Sequence, residues 1–258
     1  MTTLVTGGGS GLGRQLCRQA AARGERVVVW DLDGGAAAQT AELVTAAGAV
    51  ASSQQVDVTD PAAVSEAAAS AGPVDVLVNC AGVVTGKPLL EATEAQIRRT
   101  FDVNVLGLYW TTRAFLPGML ASHSGTIITI ASAAGIVGVA RQTDYSASKW
   151  AAIGFTESLR AELRGTGVST LVVAPYYIDT GMFAGVRTRF PLLLPILHEA
   201  DVAAKVLDAV RAGRKQLMLP PLVRVLPVLR VLPVAAFDAV VNLFGINRSM
   251  DHFVGRGR

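Results

Sequence analysis

Short apolar runs alternate with longer alanine-rich stretches along most of the chain. Leu4-Val5, Val27-Val28-Val29-Trp30, Val74 to Val78, Thr126 to Ile130 and Thr170 to Val173 read as strands buried on both faces. Between them, residues 11–23, 35–47 and 61–71, and the longer 93–120 and 144–164, read as helices. This alternation predicts an α/β fold, a doubly wound parallel sheet with helices on both faces. Connections are short, no segment repeats and no linker splits the chain before about residue 215. One domain over residues 1–258 is expected, with an apolar, basic extension from 216 onward.

The pattern changes in that extension. Residues 216–246 set Pro220, Pro221, Pro227 and Pro233 among Leu and Val, with Arg224 and Arg230 spaced between. Proline at this density breaks long helices, so several short helices or turns are expected. Such a segment suits a lid over a substrate cleft, an oligomer contact or a membrane-surface contact, and these roles are compatible.

Composition narrows the class. Hydrophobic residues make up 51% of the 258 and charged residues 17%, which supports a sizeable core and argues against extensive disorder. The net charge of +3 gives no case for a nucleic-acid partner. From Arg214 to the end, seven basic residues face two acids, so the tail carries +5 and the rest −2. Cys17 and Cys80 are too few for a disulfide framework or a structural zinc site, and two buried reduced thiols are expected. Strand sequence begins at Thr2, no signal peptide is expected ahead of it, and no uncharged run has the length of a membrane span. The expectation is a cytoplasmic protein whose tail can attach it peripherally to a membrane.

The chemistry begins at Thr6-Gly-Gly-Gly-Ser-Gly-Leu-Gly13, between the first strand and a helix. Gly7, Gly9, Ser10, Gly11, Leu12 and Gly13 form a loop whose backbone can approach a pyrophosphate at the helix N-terminus. Asp31 ends the next strand, eighteen residues after Gly13. A carboxylate there accepts hydrogen bonds from both ribose hydroxyls and repels a 2′-phosphate. With no Lys or Arg at Gly8, Gly9 or Ser10, the expected cofactor is NAD rather than NADP. Asp57 and Val58 end the third strand, where Asp57 can meet the adenine amino group. Asn79, Cys80, Ala81 and Gly82 end the fourth, where small residues let the backbone pass close to the cofactor.

Tyr145 and Lys149 stand four residues apart in Tyr-Ser-Ala-Ser-Lys, thirteen residues after Ser132. On a helix these two share a face one turn apart. An ammonium beside a phenol lowers the phenol's pKa, so that it can exchange a proton with a substrate hydroxyl near neutral pH.

Together, Thr6-Gly-x-x-x-Gly-x-Gly13, Asp57, Asn79-x-Ala-Gly82, Asn104, Ser132, Tyr145-x-x-x-Lys149 and Pro175…Thr180 resemble the short-chain dehydrogenase/reductase family over about residues 2–215. The resemblance implies a Rossmann-type NAD(P)-dependent enzyme that forms homodimers or homotetramers through its two long helices. It implies Tyr145 as general acid/base, and Lys149 as the group that tunes it and binds the nicotinamide ribose. Ser132 would hold the substrate oxygen, and Asn104 a water that extends the proton relay. Pro175, Ile178 and Thr180 would flank the nicotinamide, the last two at its carboxamide. A sensor that binds NAD(H) without turnover is the alternative, as is a lipid-surface binding protein; sensors tend to lose the tyrosine, lysine or serine, and all three are present here.

Two departures stand out. Tyr176 replaces the glycine that usually follows Pro175, adding bulk near the nicotinamide, and Cys80 replaces a usual asparagine. Residues 176–183, 185–191 and 244–256 are similar to the retinol-dehydrogenase-like and 17β-hydroxysteroid-dehydrogenase-like branch, which implies a lipophilic alcohol or carbonyl substrate.

Overall fold

The computed structural model describes residues 1–255; Arg256, the last residue of the segment similar to the retinol and hydroxysteroid branch, lies outside them. Strands β1 (Thr2–Thr6), β2 (Arg26–Asp31), β3 (Ala51–Gln55), β4 (Val76–Asn79), β5 (Gly125–Ile130), β6 (Val168–Pro175) and β7 (Gln216–Leu219) form one parallel sheet. Its order is β3-β2-β1-β4-β5-β6-β7, with Leu4 of β1 opposite Val28 of β2 and Leu77 of β4. The order reverses between β1 and β4, and a crevice opens there at the carboxyl ends of the strands.

The apolar runs divide by parity. Val5, Val29, Val78 and Ile128 face one core, while Leu4, Val28, Leu77 and Ile127 face the other. The first core is covered by α1 (Gly11–Ala22), α2 (Gly34–Ala46) and α7 (Glu199–Arg211), which bring Leu16, Ala41 and Val206. The second is covered by α3 (Pro61–Ala71), α5 (Gly107–Ala121) and α6 (Thr143–Glu162), which bring Val64, Phe115 and Leu159.

Local signals set the helix starts. Asp33 caps α2 and Asp60 caps α3, where Pro61 takes the first turn in which no N–H is needed. Thr93 and Gln96 form a reciprocal capping box at the start of α4 (Glu94–Phe101). The helix expected over 93–120 runs from α4 into α5 through a π-helical turn, Asp102–Leu106, with Asn104 inside it. Such turns widen a helix locally and concentrate at functional sites.

Two strands lie outside the apolar runs read from the sequence. β3 is Ala-Ser-Ser-Gln-Gln, a partly polar edge strand, and it stops at Gln55. Asp57 and Val58 therefore follow it in a turn instead of ending it. β7 adds the first residues of the extension to the other sheet edge. Beyond it come short elements, as the prolines require: a 3-10 turn at Pro221–Val225, α8 (Leu226–Leu229), α9 (Val234–Leu243) and a last 3-10 turn at Ile246–Arg248. Val223, Val241 and Ile246 pack with Ile136, Val137, Leu194 and Met218 in a third core over the crevice.

Candidate active site

The crevice is a cavity of about 940 Å³ that runs from α1 to the C-terminal elements. One end is built by the glycine loop. Gly7 has φ +65°, and a Cβ there would come 2.9 Å from the Ala81 Cα, so the loop lies directly on the segment after β4. Thr6 Oγ1 accepts from the N–H groups of Cys80 and Ala81, both at 3.1 Å, and locks the two segments together. A Cβ on Gly13 would overlap the Gly7 carbonyl oxygen. Ser10 precedes α1 without capping it by its side chain, and no acid occupies the first turn. The helix therefore presents its N-terminal N–H groups and partial positive charge with no competing carboxylate.

Asp31 stands at the end of β2 against this loop. Its Oδ2 accepts from Gly9 N at 2.8 Å and its Oδ1 from Asp33 N at 3.0 Å. Arg14 sends its guanidinium to the Gly9 carbonyl, Thr40 and Gln39, so it braces the outside of the loop. Asp57 lines the same end, with Oδ1 held by the N–H and hydroxyl of Thr59 at 2.9 and 2.7 Å.

At the centre, Ser132, Tyr145 and Lys149 share the cavity wall. Ser132 starts the short 3-10 turn Ala133–Gly135, and its Oγ accepts from Ala134 N at 3.1 Å. Tyr145 and Lys149 lie one turn apart on the buried face of α6, each only 5% exposed. The electrostatics differ from the sequence expectation. Burial pushes the Tyr145 phenol well above the usual tyrosine range, and a hydrogen bond with Ser132 only partly offsets it. Lys149 Nζ donates to the Ile130 carbonyl at 2.9 Å and lies 5.5 Å from the centre of the Tyr145 ring. Burial lowers this ammonium to about 8, in the range where it exchanges protons readily. Desolvation outweighs the short-range attraction that the spacing suggested.

Of the predicted residues, Gly7, Ser10, Gly11, Leu12, Gly13, Asp31, Asp57, Val58, Ala81, Gly82, Ser132, Tyr145, Lys149, Pro175, Ile178 and Thr180 line this one cavity. Gly9, Asn79 and Asn104 stand behind its wall. Asn79 accepts from Thr111 at 2.7 Å and donates to Thr112 at 3.3 Å, both on α5. Asn104 accepts from Val83 N at 2.8 Å and donates to the Val83 carbonyl at 2.9 Å and Ser148 Oγ at 3.0 Å. Its side chain thus clamps the loop after β4 against α6.

The other end of the cavity is lined by Val137, Val139, Met182 and Phe183 and covered by the C-terminal extension. Leu194, Leu222, Leu226, Val241 and Phe244 form an apolar roof. Arg230 fastens that roof: its guanidinium donates to the Ile136 carbonyl at 2.9 Å and stacks 4.4 Å from the Trp150 ring centre. Tyr145, Phe183, Tyr177 and Tyr176 meet edge to face in sequence, with ring centres 5.7, 5.1 and 4.7 Å apart. Tyr176 is therefore part of the cavity wall beyond Tyr145. Its N–H donates to the Leu219 carbonyl at 2.7 Å, which ties this wall to β7. Gln142, three residues before Tyr145 and just ahead of α6, is buried beside them.

Comparison with known proteins gives a consistent picture. A family model described as short chain dehydrogenase matches residues 1–189. Human epidermal retinol dehydrogenase 2 is 37% identical over 260 residues, covering 97% of this chain and 84% of that protein. Mouse 17-beta-hydroxysteroid dehydrogenase 13 is 33% identical over 231 residues, covering 87% and 75%. Among solved structures, a short chain dehydrogenase/reductase from Burkholderia phymatum in complex with NAD superimposes with a TM-score of 0.81 at 30% identity, covering 89% of this chain and 92% of that one.

Proposed function

We propose, from the premise that this chain belongs to the short-chain dehydrogenase/reductase family, that it interconverts a lipophilic alcohol with its aldehyde or ketone using NAD(H). The observation that carries this reading is a single cavity. It joins a helix N-terminus without a side-chain cap and the Asp31 carboxylate at one end to a Ser-Tyr-Lys group and an apolar chamber at the other.

The residues fit the cofactor. Gly7 packs on Ala81 and Gly13 on Gly7 so closely that a Cβ at either would collide with backbone, and the loop held in this way lines the cavity at the N-terminus of α1. The loop from Gly7 to Gly13 would hold the pyrophosphate, Asp31 the adenine ribose, Asp57 and Val58 the adenine, and Lys149 the nicotinamide ribose. Pro175, Ile178 and Thr180 would flank the nicotinamide. When bound, the nicotinamide supplies the hydride acceptor or donor.

The chain's own groups then manage one oxygen and one proton. Ser132 holds the substrate oxygen as negative charge develops on it. Tyr145 gives that oxygen a proton in reduction and takes it in oxidation. Burial keeps the phenol protonated near neutral pH, the form that serves reduction, while rising pH favours the phenolate that oxidation needs. Lys149, at about 8, passes the proton on. Asn104 positions the loop after β4 beside them.

The apolar roof supports a lipophilic substrate, as does similarity to proteins named for retinol and a hydroxysteroid. The test is a screen of retinoids, steroids and medium-to-long-chain alcohols with NAD⁺, following NADH absorbance. Turnover of at least one class is expected; NADH binding with no turnover of any would return the sensor reading.

Asp31 gives an independent check of cofactor choice. Asp31→Ser removes the charge that repels a 2′-phosphate and should shift the NAD/NADP preference toward NADPH by about tenfold or more. A wild type that already prefers NADPH would refute the assignment.

The outer surface of the roof supports contact with an anionic lipid surface. Val228, Val231 and Val234 are 69, 86 and 75% exposed, beside a tail of net positive charge. Among the described residues no helix is long and apolar enough to cross a membrane. The full chain is expected to float with phosphatidylserine liposomes, and a Val228→Ser/Val231→Ser/Val234→Ser variant to remain in the dense fraction. Equal flotation of both would rule this surface out. Exposed Phe101, Leu106 and Tyr109 along the α4–α5 helix support a homo-oligomer through the long helices.

A further inference from the structure

We propose that Gln142 binds the substrate, its side-chain carbonyl receiving a second hydroxyl group distinct from the one oxidised. The proposal rests on the alcohol–carbonyl reading above and specifies its substrate class: a lipophilic alcohol with another hydroxyl a few bonds from the carbinol.

Gln142 precedes the first residue of α6, is fully buried and lines the cavity. Its backbone carbonyl accepts from Ser146 N at 2.7 Å, which holds it against the first turn of α6, three residues ahead of Tyr145. Its amide orientation follows from a chain of hydrogen bonds. Ser249 Oγ donates its one proton to the Ile246 carbonyl at 2.7 Å. Tyr177 Oη, 2.8 Å from Ser249 Oγ, must then be the donor of that pair. With its proton so used, Tyr177 accepts from Gln142 Nε2 at 3.2 Å. The amide nitrogen is thereby fixed on Tyr177, and Oε1 is left buried with no hydrogen-bond partner among the described residues.

A buried acceptor without a donor is destabilising, and at a cavity wall a ligand can supply the missing partner. The surroundings define that ligand. Gln142 lines the chamber together with Val137, Val139, Leu194 and Ile246, so its amide is a polar group in an apolar wall. One such point orients a lipophilic molecule without lowering its overall fit. Because Oε1 only accepts, the matching group is a hydroxyl and not a second carbonyl.

The test compares 1-dodecanol with 1,3- and 1,4-dodecanediol, using the full chain and the variants Gln142→Met and Tyr177→Phe. At least one diol should exceed the mono-alcohol about tenfold in kcat/KM, through KM. Gln142→Met keeps the chain length and removes the acceptor, so it should erase the preference by raising KM for the diol. Tyr177→Phe releases the amide and should weaken the preference as well. Binding is also read without turnover, as the rise in melting temperature of the Tyr145→Phe chain with each alcohol, with and without NAD⁺. A diol-specific rise that disappears in Tyr145→Phe/Gln142→Met upholds the subsite even where no alcohol is oxidised, a result that would overturn the redox reading alone. Equal kcat/KM and equal melting shifts for diols and mono-alcohol overturn the subsite, as does a diol preference that survives Gln142→Met.

Discussion

Tyr145→Phe leaves NADH binding close to wild type and cuts turnover by about 10²–10⁴, the range that general acid–base catalysis supplies. The substitution removes one oxygen and nothing else. Phe keeps the ring that meets Phe183 edge to face at 5.7 Å, so the aromatic wall is preserved. The lost partner is Ser132, and a neutral hydrogen bond of this kind contributes about 1 kcal/mol to stability, too little to unfold the chain. The glycine loop and Asp31 lie at the other end of the cavity and do not sense the change. A kcat fall without a matching loss of NADH affinity therefore isolates proton transfer at the substrate oxygen. NADH titration by fluorescence and steady-state kinetics on the same preparation make the comparison. Wild-type turnover in this variant would remove Tyr145 from the chemistry.

Gly13→Ala carries the second large effect, through the cofactor instead of the proton. Gly13 sits in the first turn of α1, where an added methyl would overlap the Gly7 carbonyl oxygen and crowd Gly8. The collision is with backbone, so no rotamer relieves it. The loop has to part from the helix, which moves the N–H groups proposed to hold the pyrophosphate. Overpacking of this kind costs about 1–3 kcal/mol of stability. A displacement near 1 Å in a positioning element costs about a hundredfold in function, and NADH affinity should fall by that order. Gly154→Ala is the control: Gly154 is exposed on α6, a Cβ there meets nothing, and stability should hold or rise by about 0.5–1 kcal/mol. Thermal unfolding and NADH titration separate the two variants. A Gly13→Ala chain that is folded and binds NADH as wild type does would contradict the assignment of the loop.

Much of the cofactor half was legible because its constraints are local. The loop from Gly7 to Gly13 needs glycine for close approach of backbone to backbone, and Asp31 needs only its place at a strand end. Central strands were visible as apolar runs since both of their faces are buried, as Leu4 and Val5 show by entering different cores. The polar edge strand Ala51–Gln55 had no such run, because an edge strand is only half covered. Gln216–Leu219 was hidden at the head of the proline-rich segment, although its pairing with Val172 to Pro175 is an ordinary parallel one.

The substrate half was less legible, for reasons of distance in the chain. Val223, Val241 and Ile246 meet Ile136 and Leu194 across roughly 30 to 110 residues, and no periodicity announces such contacts. Arg230 on the Trp150 ring and the Ser249–Tyr177–Gln142 chain belong to the same class. The relation of Tyr145 to Lys149 was legible in position and misleading in charge. Their spacing does place them together, but the burial that makes them a site raises the phenol and lowers the ammonium. Asn79 and Asn104 likewise stand where the motifs put them, with side chains engaged by Thr111, Thr112, Val83 and Ser148.

Direct transfer from a carbinol carbon to the nicotinamide is the central claim, and isotope transfer measures it. The protein is incubated with NAD⁺ and a pool of retinol, hydroxysteroid and long-chain alcohols deuterated at the carbinol carbon, and the NADH formed is weighed by mass spectrometry. The result expected is NADH carrying one deuterium from at least one alcohol, with none formed by Tyr145→Phe on the same timescale. Unlabelled NADH, or no NADH from any alcohol by a chain that binds it, would contradict the claim.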